Sequence, residues 1–383
     1  MEDDVSEQPL EIAAQPGMLV LARESRGMTQ TDVARAFSER PGTAEPASQG
    51  YVSKAEAGRI RVVGERLTAY AAALGYLPEL LTLDEPVLGA GVGLVHHRRR
   101  ASLAAGDLRR THAVLNLTRI QLQSLLHASN RSLPHRFPEI KVDDFDTPED
   151  AAREVRESWD IGPGPVTCLI GAIEAAGGLV VRRHLAGREL DAVSQRMACG
   201  NPLFLLNYGT PADRERYTLA HEVGHVVMHR MPSDEQERQA DQFASEFLMP
   251  ARDILSSLKG GLDLSRLIEL KANWRVSMGA IVRRAHTLGA ISDWQYRQLN
   301  MELSTLGYRT TEPTTIAPEQ PAAVGQLVWE LRSSHGLTIS ELASITGLLE
   351  HEFTNLYLSD RALRTDAHAT AANSLAAAAQ ARR

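Results

Sequence analysis

Residues 217–229 read Tyr-Thr-Leu-Ala-His-Glu-Val-Gly-His-Val-Val-Met-His, so His221, Glu222 and His225 form a His-Glu-x-x-His motif inside an apolar helical pattern. Two histidines four apart share one helix face, and both rings can reach a single ion while the glutamate beside the first takes a proton from water. With 13 histidines in 383 residues, chance would place this pattern on the order of three times in a hundred chains of this length. The bland alternative is a pair of histidines on a solvated helix. Leu219, Ala220, Val223, Val226, Val227 and Met228 argue against it. They leave almost no polar position besides the motif, and buried imidazole and carboxylate need partners. A zinc ion supplies them, and the chemistry to expect is metal-assisted hydrolysis of a peptide bond with Glu222 as general base.

A second helix follows. Asp234 is a plausible N-cap, Ala240, Phe243, Ala244, Phe247 and Leu248 recur at helical spacing, and Pro250 stops the run. Catalytic zinc commonly takes two histidines and one glutamate, and a ligating histidine usually donates its other N–H to a carboxylate. Glu237 is therefore expected as the third ligand and Asp241, one turn on, as the partner of a ligating histidine. Glu235 and Glu246 are the other carboxylates within reach. His229, if the first helix continues through it, lies about 12 Å along the axis from His221, too far to share the ion, and is expected to be structural or substrate-facing.

Pro211-x-Asp213-Arg-x-Arg216-Tyr-Thr-Leu-Ala-His-Glu-x-Gly-His-x-x-x-His229, followed by Glu237-x-x-Ala-Asp-x-Phe-Ala-x-Glu-Phe-Leu-Met-Pro250, resembles the ImmA/IrrE family of metallopeptidases. The resemblance implies a peptidase domain over about residues 151–300 and a protein substrate such as a DNA-bound repressor.

The N-terminal region carries a different pattern. Leu19–Ala34 reads as a helix, a turn at Gly27 and a Thr29-capped second helix, and Ser48–Gly58 reads as a third. This resembles the helix-turn-helix of XRE, or phage-repressor-like, regulators. Such a unit lays its third helix in the major groove, with polar residues near its start on base edges. Gln49, Gly50, Tyr51, Ser53 and Lys54 are the expected readers, Gln49 suiting adenine and Lys54 guanine or phosphate. Gln30 and Arg26 are expected on the DNA backbone. The Pro41- and Gly42-containing connection between the second and third helices is longer than the tight turn of that motif. Lys and Arg only slightly outnumber acids over residues 18–66, which predicts modest phosphate attraction and a homodimer on a double-stranded operator.

The whole chain carries a net charge of −7, but local charge decides DNA contact. Cys168 and Cys199 are the only cysteines and form no Cys-x-x-Cys pair, so neither thiolate zinc ligation nor a disulfide framework is expected. The acidic N-terminus has no signal-peptide character and no apolar run spans a bilayer, so a cytoplasmic protein without membrane partners is expected.

The fold class to expect is mainly α and multidomain: an all-α helix-turn-helix domain, an α+β zincin-like peptidase domain with a small sheet, and a C-terminal helical region. The boundaries are residues 1–15 flexible, 16–85 DNA-binding, 86–150 helical linker, 151–300 peptidase, 301–366 C-terminal helices and 367–383 tail. The basic cluster His96–Arg100 precedes the linker helix, whose solvated face would point to water. Within the peptidase region, a helix opens at Pro163 and runs through Ile173, and residues 177–181 and 202–206 read as buried strands, with a sheet edge free to pair with an extended substrate. The competing reading is a transcription regulator whose peptidase-like domain is a sensor or interaction module without turnover.

Overall fold

The computed structural model describes residues 12–39, 46–88, 104–143, 146–186, 190–231 and 233–358. The basic cluster His96–Arg100, the Ala-rich tail and most of the connection between the second and third helices lie outside them. Among the described residues the protein is mainly helical, with one three-stranded sheet. The chain divides into two compact units, one made of Met1–Gly89, Ala105–Arg131 and Gly325–Arg383, the other of Ala90–Ala104 and Ser132–Val324.

The first unit begins with helices Pro16–Ser25, Gln30–Ser38, Gln49–Glu56, Gly64–Leu74 and Pro78–Thr82. Thr29 caps the second helix in a reciprocal box with Asp32, and the Ser48 hydroxyl accepts from Tyr51 N–H to start the third. Leu19, Ala22, Val33, Phe37, Val52, Tyr70 and Leu74 bury their side chains between these helices. Helix Ala105–Ser129 packs against Pro16–Ser25. Rather than presenting a solvated face, it is buried almost continuously from Ala113 to Leu122. Its polar residues are used internally: Asn116 brackets the backbone of Leu88 from both sides, and fully buried Arg119 donates to Pro86 O at 2.7 Å. Helices Ile339–Thr346 and Glu350–Tyr357 complete the unit. Gly347, at φ +68°, passes so close to Leu80 that an added Cβ would stand 2.5 Å from its Cβ, so glycine is required there on both counts.

The second unit holds the sheet, with strands β1 (Leu179–Arg183), β2 (Ala192–Arg196) and β3 (Pro202–Asn207) in the order β1-β3-β2. β1 runs parallel to β3 in the register Leu179 to Leu203, and β2 antiparallel to it with Ser194 opposite Phe204. Strand β2 has no counterpart in the sequence reading, because Ser194-Gln195-Arg196 interrupts any apolar run. The helix expected from Pro163 starts only at Leu169, capped by Cys168; Gly164, at φ +83°, keeps the preceding segment irregular.

Helices Ala212–Met228 and Gln236–Leu248 pack against each other and against helix Pro148–Ser158. Gly224 makes the approach possible, since a Cβ there would stand 3.1 Å from the Phe243 ring. Phe243 and Phe247 stack at 5.6 Å, Trp159 meets Phe247 edge-on, and Phe204 is buried in the same core. From residue 300 to Val324 the chain stays on this unit: Glu319 accepts from buried Arg216 and from Ile170 N–H, while Glu312 accepts from Lys271 and Met278 N–H. Such buried pairs resist loss of either partner, which would strand a charge.

Candidate metal centre and recognition helix

The apolar stripe of Ala212–Met228 is turned inward, with Leu219, Ala220, Val223 and Val227 in the core. That orientation carries His221, Glu222 and His225 into the interface with the following helix. The Nε2 atoms of His221 and His225 are 3.0 Å apart. Glu237 brings Oε2 to 3.4 Å from the first and Oε1 to 3.2 Å from the second. Four atoms around zinc at about 2.0–2.1 Å in a tetrahedron stand about 3.3 Å from one another, so these separations fit three corners of one coordination sphere.

The electrostatics agree. Burial works against a charge on His221, but Asp241 and Glu237 outweigh it and push the ring up to about 10. Burial likewise opposes ionisation of Glu237, yet the two histidines hold it well below the usual carboxylate range. His225, which is 2% exposed, is driven by burial down to about 4 in spite of Glu237. Without an ion the proton held on His221 supplies the positive charge that Glu237 and Asp241 draw, and a cation displacing that proton would meet three ligand atoms at one point. The donor set of two neutral imidazoles and one carboxylate suits zinc.

The remaining expected residues are distributed as follows. His221 Nδ1 lies 3.0 Å from Asp241 Oδ1, the geometry of a ligating ring oriented by a carboxylate. Glu222, 4% exposed, points at β2, where the Ser194 hydroxyl donates to Oε2 at 2.6 Å. Burial raises its carboxyl to about 7, with His221 and Ser194 opposing, which suits a group that must both take and give a proton near neutrality. Of the alternative carboxylates, Glu246 is buried on Arg284 and Arg153, and Glu235 is exposed on Arg238. Neither approaches the histidines.

Two local expectations need correction. The second helix starts at Gln236, with Glu235 and not Asp234 at the N-cap. Helix Ala212–Met228 does not continue through His229, which is the extended C-cap at φ −115° and ψ 107°. Its ring therefore folds back beside His225, with Nδ1 atoms 3.0 Å apart, and its Nε2 meets Gln239 Oε1 at 2.9 Å. The sequence reading missed Ser194 and Gln239. The third histidine at four-residue spacing was a signal for His229, but Gln239 left none.

A cleft of about 420 Å³ opens beside the triad, lined by Tyr217, His221, Glu237, Asp241, Arg283 and Thr287 among others. Burial pushes the Tyr217 phenol up, and its hydroxyl donates to Asp241 O at 3.2 Å.

On the first unit, Gln49 and Gly50 are exposed at the start of helix Gln49–Glu56, Lys54 is exposed, and Tyr51 and Ser53 are half-buried. Gln49 donates to Gln30 Oε1 at 2.7 Å, and Gln30 donates to Glu56 at 2.9 Å, where Arg23 also pairs at 2.6 Å. The structure thus brings Gln30 and Gln49 together. Arg26 has partners within its own unit. Its guanidinium donates to Leu74 O and Gly75 O, pairs with Glu352 at 2.7 Å and stacks 4.1 Å over Tyr76.

No helix among the described residues is long and apolar enough to cross a membrane. No curated protein matches the chain. Residues 173–286, which contain the sheet, both helices that carry the His221, His225 and Glu237 cluster and most of the cleft lining, match the family model of the IrrE N-terminal-like domain of M78 peptidases.

Proposed function

We propose that the protein is a cytoplasmic DNA-binding regulator whose second unit is a zinc peptidase that hydrolyses a bond in a regulatory protein, such as a repressor or a copy of itself. The single observation that carries the catalytic part is the convergence of His221, His225 and Glu237 with the buried carboxyl of Glu222 on the same helix turn. When bound, zinc would polarise the scissile carbonyl and acidify water. The chain's own residues do the rest. Glu222 takes the proton of the attacking water and later returns it to the leaving amine, held until then by Ser194. Asp241 keeps the His221 ring oriented through Nδ1. β2, which carries Ser194, is an outer strand of the sheet and would be the one to pair with an extended substrate beside Glu222.

The DNA-binding part rests on the helical arrangement of residues 16–74 and on the outward Gln49 and Lys54. A homodimer would supply two such helices to an operator. A sensor without turnover requires ligands but no general base, so Glu222 favours the enzyme. Zinc analysis together with a cleavage assay of wild type against Glu222→Gln tests the proposal: retained zinc with lost cleavage supports it, and equal cleavage by both proteins sinks it.

A further inference from the structure

The two proposed histidine ligands are oriented by different devices. His221 has the Asp241 carboxylate on Nδ1, which can only accept, so that nitrogen keeps its hydrogen and Nε2 is the atom that would give up its proton and lend a lone pair to an ion. His225 has no carboxylate on Nδ1. It has another imidazole, and two facing nitrogens 3.0 Å apart share one hydrogen whose owner is undetermined by the pair itself. The far end of the chain decides. With the Gln239 carbonyl oxygen at His229 Nε2, that nitrogen must donate. His229 Nδ1 is then bare and accepts from His225 Nδ1–H, which leaves His225 Nε2 with its lone pair directed at Glu237 and His221. Were the Gln239 amide turned to present NH2, every hydrogen in the relay would reverse, and His225 would present an N–H where a lone pair is needed.

We propose that His229 and Gln239 are positioning residues that fix His225 in its metal-ligating tautomer, an inference that rests on the zinc reading above. A neutral acceptor at the far end suffices, because only the direction of the hydrogens and not an added charge sets the lone pair on His225 Nε2. The backbone makes the relay possible: the helix ends at Met228, His229 N–H still bonds His225 O at 3.0 Å, and the extended cap swings the His229 ring alongside His225 rather than one turn further on.

The test measures zinc affinity of the full chain by chelator competition, the visible spectrum of the cobalt(II)-loaded protein, and the melting temperature after chelator treatment. Gln239→Leu removes the acceptor while keeping approximate size, Gln239→Glu keeps a group that only accepts, and His229→Phe keeps the ring without its nitrogens. Expected are a loss of about 10–100-fold in zinc affinity for Gln239→Leu and His229→Phe, a shifted cobalt spectrum, an unchanged melting temperature for Gln239→Leu without metal, and affinity within a few-fold of wild type for Gln239→Glu. Wild-type affinity in Gln239→Leu, or an equal loss in Gln239→Glu, overturns the relay while leaving the zinc reading intact. A wild-type chain that takes up no zinc overturns both.

Discussion

The ligand-bearing helices of the second unit and the helix Gln49–Glu56 of the first both carry polar side chains bonded to one another, but they differ in where those groups point. On the second unit His221, His225 and Glu237 converge inward, where the Asp241 and Glu237 carboxylates push one ring up to about 10 against its burial and burial drives its neighbour down to about 4. On the first unit Gln49 and Lys54 face outward from the Gln30–Glu56–Arg23 chain. A group of the first kind has its geometry set by the fold and tolerates little change. The second kind depends on what meets it, and its effects are graded.

The largest expected effect breaks the inward site outright. His225→Ala or Glu237→Ala abolishes zinc uptake measured by metal analysis of the purified chain, whereas Asp241→Asn weakens it by about 10–100-fold. Full occupancy in the Glu237 variant would remove that residue from the proposed ligand set.

Next is the helix approach. Gly224→Val forces a branched side chain against Phe243, where even a Cβ stands at 3.1 Å, and overpacking of this kind costs about 1–3 kcal/mol. Gly224→Ala is closer to neutral in thermal unfolding, because the helix-propensity gain of up to about 1 kcal/mol offsets part of the clash. Equal melting temperatures for wild type and the valine variant would contradict the packing argument.

On the outward face, Gln49→Ala relaxes specificity at one base position by about 1–3 kcal/mol in a binding titration, and Lys54→Ala lowers the salt slope by about one. Arg26→Ala behaves differently from both: it lowers the melting temperature, since its bonds go to Leu74, Gly75 and Glu352, and leaves the salt slope of DNA binding unchanged. A change in slope without loss of stability would return Arg26 to the DNA face.

How legible each region was follows from the same difference. A cluster of this kind uses a fixed set of residue types at helical spacing, so the coming together of His221, His225, Glu237 and Asp241 could be read from the intervals four apart. Gln239 could not, because its role depends on the helix ending at Met228 and swinging His229 sideways. Strand β2 was hidden because the strand facing helix Ala212–Met228 carries Ser194 for Glu222 and so lacks an apolar pattern. Arg26 read as a phosphate ligand because an arginine near a DNA-binding motif gives no sign that a partner more than three hundred residues away in sequence, Glu352, will claim it. Local chemistry was readable, and long-range partners were not.

The smallest expected effect lies in the cap of helix Pro148–Ser158. The Thr147 hydroxyl, then Arg153, holds the Asp150 carboxyl down to about 2. A depressed carboxylate contributes its stability above the unfolded-state value near 4 and loses it as pH falls toward 2. Asp150→Asn therefore narrows the melting-temperature gap to wild type between pH 4 and pH 2, and a constant gap would show that the cap contributes nothing through charge.

The central claim, that the inward site is a working peptidase centre, is tested most directly by cleavage of a candidate repressor by wild type and Glu222→Gln at matched zinc content. The account predicts about one zinc per chain in both proteins and a rate lower by about two to four orders of magnitude in the variant. Equal rates, or no cleavage by zinc-loaded wild type of any repressor encoded beside it or of its own chain, would contradict it.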